Sequence, residues 1–127
     1  MVGTGNKVED FGVGFFTKYG DGGVDVSPIG DLMKSEVYEL GREMGVIDSI
    51  LKAAPTDGLW DDDRTDEDQL GVTYDELEWA MKIQYAFSKK PIEMNERQKY
   101  VMKTYFKHRE ANMHKMVEIP VYKEETE

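Results

Sequence analysis

The strings Gly3-Thr4-Gly5-Asn6-Lys7-Val8-Glu9 and Gly14-Phe15-Phe16-Thr17-Lys18-Tyr19-Gly20-Asp21-Gly22-Gly23-Val24-Asp25 decide how the rest of the chain is read. Together they hold six glycines. Glycine lets backbone approach a ligand closely, and Thr4, Asn6, Glu9, Thr17, Lys18, Asp21 and Asp25 bring hydroxyl, amide and charged groups of both signs to one stretch. On composition alone the same stretch reads equally as a loop with ordinary turn glycines.

The whole chain has 127 residues, enough for one domain with a modest core. Only 39% of residues are hydrophobic while 33% are charged, so the core is thin for this length and a partner surface is expected to complete it. A net charge of -10 argues against a nucleic-acid partner, because a phosphate backbone needs a basic stripe. A small polyphosphate is compatible with it, provided that lysines are placed locally or a divalent cation bridges like charges. The absence of cysteine removes disulfides, thiolate metal sites and thiol catalysis, and fits a reducing compartment. His108 and His114 are too few for a histidine-rich metal site. No stretch approaches the ~18 apolar residues of a membrane span, and no basic-then-apolar signal opens the chain. The expected location is the cytoplasm.

Met1 and Val2 read as the end of a strand, and Val24 to Pro28 as a second short one. Asp31 is expected to cap a helix with Leu32, Met33, Val37, Leu40 and Met44 on its apolar face and a left-handed Gly45 at its end. Lys34 falls in its first turn, against the helix dipole; an anionic ligand would account for that, and so would solvent. A second short helix over residues 46–54 stops at Pro55. The acidic run over residues 61–68 repels itself and reads as a solvated loop that does not pack; it lacks the glycine and terminal glutamate of a calcium loop. Thr73-Tyr74-Asp75-Glu76 and Asn95-Glu96-Arg97-Gln98 are capping boxes that open two longer helices. The first runs to about Phe87 with Leu77, Ala80, Met81 and Tyr85 inward. The second aligns Val101, Tyr105 and His108, with Met102 and Phe106 beside them, a stripe suited to a core or dimer contact. From Met113 to Val121 the chain is expected to be extended. Residues 1–122 form one domain and residues 123–127 a disordered tail.

Taken together, these segments resemble the C-terminal half of the ammonia-dependent NAD synthetases, within the N-type ATP pyrophosphatase superfamily. The two opening strings carry the resemblance, with Pro28-Ile29-Gly30-Asp31-Leu32-Met33-Lys34, Ala54-Pro55-Thr56-Asp57-Gly58-Leu59-Trp60, Thr65-Asp66-Glu67-Asp68-Gln69-Leu70-Gly71 and, more weakly, His114-Lys115. The resemblance implies an α/β chain: the helix-rich C-terminal portion of a doubly wound parallel-sheet, adenine nucleotide alpha hydrolase-like fold, with one or two short strands. It implies a ligase of NAD biosynthesis that adenylates the nicotinate carboxylate of deamido-NAD with ATP, releases pyrophosphate and lets ammonia displace AMP. Position by position, it implies ATP contacts from Thr4, Lys34 and Thr56 and a magnesium ligand in Glu9. Deamido-NAD contacts fall to Lys18, Asp25, His114 and Lys115, the last two across a homodimer interface. The acidic run corresponds to a loop that closes over the nucleotides. Read without it, Glu9 and Lys18 are surface charges and Thr56 a turn hydroxyl.

The superfamily's phosphate loop, Ser-Gly-Gly-x-Asp-Ser, is not in the sequence, and its aspartate, a second magnesium ligand, is missing with it. Asp21-Gly22-Gly23-Val24-Asp25-Val26-Ser27 imitates it poorly, with a carboxylate in place of a phosphate-binding serine. The expectation is a chain inactive alone that needs an N-terminal phosphate-loop half. The alternative is a non-catalytic nucleotide-binding or dimerisation module; GMP synthetase is disfavoured by the Phe-Phe-Thr-Lys-Tyr-Gly-Asp-Gly-Gly block. On either reading Thr4, Glu9, Lys18 and Lys34 should converge on one pocket.

Overall fold

Asn6 and Glu9 open the first element by capping each other. The Asn6 Oδ1 accepts from the amides of Val8 and Glu9 at 3.0 and 3.3 Å, and the Glu9 carboxylate accepts from the Asn6 amide at 3.1 Å. In the computed structural model, which describes residues 1–56, 58, 64–87 and 92–124 but not the side chains of Tyr85 and Phe87, they start a single π-helical segment, Val8–Val13. Such turns are rare and concentrate at functional sites. The segment ends at Gly14, which is left-handed with φ 68° and returns its amide to the Glu9 carbonyl. A Cβ at Gly14 would also collide with the Cβ of Asn112, so glycine is needed twice over.

Among the described residues five helices follow: α1 Lys34–Glu43, α2 Asp48–Leu51, α3 Asp66–Leu70, α4 Tyr74–Phe87 and α5 Glu96–Met116. Among the described residues, β-structure is confined to one parallel bridge between Val2 and Val26, where both short strands are expected. Both capping boxes form: Thr73 and Glu76 exchange bonds at 3.0 and 3.2 Å before α4, and Asn95 and Gln98 at 3.0 and 2.8 Å before α5. Gly45 has the left-handed φ, 76°, that stops α1.

Three expectations fail. Asp31 caps nothing: α1 begins three residues later behind Met33, and Asp31 pairs with Lys7 at 2.8 Å. The acidic run packs in part, because Thr65 caps α3 and Asp66 is buried at its start; residues 61–63 lie outside the described residues, as does the Tyr85 side chain. The chain does not become extended at Met113, since α5 runs on through His114 and Lys115 to Met116. Of the tail, Lys123 and Glu124 are exposed and residues 125–127 lie outside the described residues.

The core lies where the π-helical segment, α4 and α5 meet. Val8, Leu77 and Tyr105 are fully buried there with Val13, Ala80 and Val101. The final turns of α5 fasten the π-helical segment through polar bonds: Arg109 donates to the carbonyls of Phe11 and Gly12, Asn112 to Val13 at 2.9 Å, and Lys115 to Gly14 at 3.0 Å. Carbonyls left free where a helical segment ends are thereby satisfied. No described helix is long and apolar enough to cross a membrane.

Candidate functional site

Two consecutive carboxylates of the π-helical segment have different surroundings: Glu9 contacts residues that line one pocket, and Asp10 itself lines another. Glu9 faces the start of α1, where its Oε1 accepts from the Lys34 ammonium at 3.1 Å and from the Tyr74 hydroxyl at 2.7 Å. Both charged side chains are largely buried, with 20% and 16% of the Lys34 and Glu9 side chains exposed. The Lys34 ammonium also stands 4.7 Å above the Tyr74 ring. A second carboxylate, buried Glu78 on α4, takes the Ser35 amide and hydroxyl, both at 2.8 Å. Glu9 and Glu78 therefore supply the negative charge that a lysine at a helix N-terminus lacks. Lys34, Ser35, Pro55, Tyr74 and Glu78 line a pocket of about 140 Å³.

Asp10 faces the other way. It shares a pocket of about 150 Å³ with Phe16, Asp21, Ser27 and Lys115. A Cβ at Gly5 would collide with its carboxylate, so the glycine loop closes over it directly. Burial, then the charges of Glu9 and Asp21, push the Asp10 carboxyl up to about 6. Lys115 reaches this pocket from α5 and donates to the Phe16 carbonyl at 2.7 Å, and Lys18 donates to the His114 carbonyl at 2.8 Å.

The expected residues thus divide between two places, and the single-pocket expectation is not met. Glu9 and Lys34 meet at the start of α1; Lys18, His114 and Lys115 gather at the C-terminal end of α5 within one chain, and of these three Lys115 lines the pocket of Asp10. Thr4 is exposed on the glycine loop. Thr56 is exposed and donates to the Arg64 carbonyl at 3.1 Å, next to Pro55, whose carbonyl accepts the Asp66 amide at 3.0 Å. Asp25 is exposed and contacts the amino group of Met1. A larger apolar cleft of about 390 Å³, between Met94 and Phe106, contains no expected site residue.

The model of the NAD synthase family matches residues 1–120. The chain belongs to that family. A family relative, the NH(3)-dependent NAD(+) synthetase of Methanococcoides burtonii, is 58% identical over 82 residues, which are 65% of this chain and 30% of the relative. The corresponding enzyme of Archaeoglobus fulgidus is 49% identical over 83 residues, 65% of this chain and 33% of the relative. The chain thus spans about a third of the length of the curated relatives it matches. Among solved structures, the NMN synthetase of Francisella tularensis superposes with a TM-score of 0.71 at 35% identity, covering 95% of this chain and 45% of that one.

Three residues at these pockets were not singled out in the sequence for the parts they play. Asn6 was legible, since Asn6-Lys7-Val8-Glu9 has the spacing of a capping box. Tyr74 was hidden inside another capping box, and nothing local distinguishes Asp10 from other acidic residues.

Proposed function

We propose that the chain is the C-terminal part of an ammonia-dependent NAD synthetase, a ligase that converts deamido-NAD to NAD with ATP and magnesium in the cytoplasm, as a homodimer or with a phosphate-loop half. The observation that carries this reading is the buried contact between Glu9 and Lys34 at the N-terminus of α1. The family resemblance assigns these two residues to magnesium and ATP, and 25 positions separate them in the chain. Elsewhere on the surface an ion pair needs no explanation, but a largely buried one at a helix start beside an open pocket is suited to receive phosphate.

The residues present fit magnesium. Among the described residues no three His, Cys, Asp or Glu side chains group to hold a metal. A cation at Glu9 would therefore complete its shell with water and phosphate oxygens, which is how magnesium usually binds nucleotides. Bound there, it would neutralise charge developing on the phosphates. Lys34 has one ammonium hydrogen directed to Glu9 and keeps two for phosphate oxygens. Thr56 would add a hydroxyl from the neighbouring segment, and exposed Thr4 another from the glycine loop. Around the C-terminal end of α5, Lys18, His114 and Lys115 would hold deamido-NAD, with exposed Asp25 contributing from the glycine-rich stretch and the ammonium of Lys115 already fixed by the carbonyls of Gly14 and Phe16. Adenylation then makes the nicotinate carboxylate an electrophile for ammonia.

A second reading of the substrate comes from the Francisella tularensis neighbour, an NMN synthetase similar over 95% of this chain: the same site could amidate the mononucleotide. Product assays separate the readings. The purified chain with ATP, magnesium and ammonium should form little or no NAD from deamido-NAD, and adding a phosphate-loop polypeptide from a relative should restore turnover, with the mononucleotide acid as the parallel substrate. No restoration with either substrate would favour a non-catalytic module.

A further inference from the structure

We propose that Tyr74 is a positioning residue: it holds Glu9 by Oε1 so that Oε2 faces a divalent cation, and ties the carboxylate to the segment bearing Thr56. This rests on the reading of Glu9 as the cation-binding carboxylate. Each carboxylate oxygen offers about two acceptor directions. Both directions of Oε1 are taken, by the Tyr74 hydroxyl at 2.7 Å and the Lys34 ammonium at 3.1 Å. Among the described residues Oε2 accepts only the Asn6 amide, at 3.1 Å, which leaves it one further acceptor direction.

Tyr74 is suited to the task because it has little freedom. Its side chain is 5% exposed, so the phenol does not turn to water. A phenol carries one hydrogen, and the contacts of 2.7 Å to Glu9 and 3.2 Å to Asp66 identify Glu9 as its principal acceptor. Through Asp66 the same hydroxyl reaches the nucleotide side of the pocket, because the Asp66 amide is bonded to the carbonyl of Pro55, the residue before Thr56. Partners that orient a ligating side chain are worth roughly 10- to 100-fold in metal affinity.

The test uses manganese with ATP as the probe, read by electron paramagnetic resonance on the purified chain. Glu9→Gln should abolish binding, and Tyr74→Phe should weaken it by roughly 10-fold or more while its circular dichroism stays that of the unsubstituted chain. Equal manganese affinity in Tyr74→Phe and the unsubstituted chain, with Glu9→Gln still defective, overturns the positioning role and leaves the reading of Glu9 standing. Equal affinity in all three overturns both. Should Tyr74→Phe not fold, hydrogen exchange on the unsubstituted chain decides: manganese should slow exchange of the Asp66 amide, and unchanged exchange overturns the tie between Glu9 and the Thr56 segment.

Discussion

The face that α4 turns to α5 and the face carried by α1 and α2 are written in the same apolar code but end in different surroundings. On α4, Leu77 and Ala80 are fully buried and Met81 nearly so. On α1 and just beyond it, Leu40, Met44, Ile47 and Ile50 are exposed, Met44 by 75%, and neither helix buries a residue. The difference lies in what arrives to cover each face. The π-helical segment lies against both α4 and α5, whereas the fold uses the charged start of α1, through Lys34 and Ser35, more than its apolar stripe. Spacing tells which residues share a face, and only a neighbouring element makes that face a core.

The largest expected effect contrasts the two faces directly. Leu77→Ala should lower the free energy of unfolding by about 2–5 kcal/mol, whereas Ile50→Ala should change it by about 0.5 kcal/mol or less, both read from urea melts. Similar losses at both positions would break the contrast.

A smaller contrast separates two left-handed glycines, Gly14 beside the core and Gly45 after α1. Alanine at either must adopt a positive φ, at roughly 1–2 kcal/mol. Among the described residues nothing stands within 4 Å of a Cβ at Gly45, but at Gly14 it meets Asn112, so Gly14→Ala should cost about 1–3 kcal/mol more. Thermal melts of the two variants would show it.

The smallest effect tests the pocket on the core side. The Asp10 carboxyl is raised from 3.8 to about 6 in the folded chain, so the fold favours its uncharged form. Its contribution to stability is complete below pH 3.8 and is lost as pH rises through about 6. Asp10→Asn should therefore melt a few degrees above the unsubstituted chain at pH 7, and the gap should close towards pH 4. A gap that does not change with pH would remove Asp10 from the titrating groups.

The helix starts before α4 and α5 were legible because a capping box is local: Thr73 and Glu76, or Asn95 and Gln98, satisfy each other within one turn. Gly45 was legible for the same reason. Asp31 misled because a capping residue type also serves as an ion-pair partner, and Lys7, 24 positions away, claims it. Lys115 could be picked out as a basic residue near the end of the chain, but its bonds to the carbonyls of Gly14 and Phe16 span about a hundred positions and leave no local trace.

The sequence by itself determined the family, the order of α1, α2, α4 and α5, the caps that begin α4 and α5 and the glycine that ends α1, because these depend on residue type and on spacing within a few positions. Tertiary structure alone decided that Glu9 meets Lys34 and Tyr74 while Asp10 turns to a separate pocket, and that the apolar face of α1 is left exposed at Leu40 and Met44. Those outcomes depend on which distant surfaces come together, and a side chain's charge or hydrophobicity names the kind of neighbour it favours without saying which one will be there.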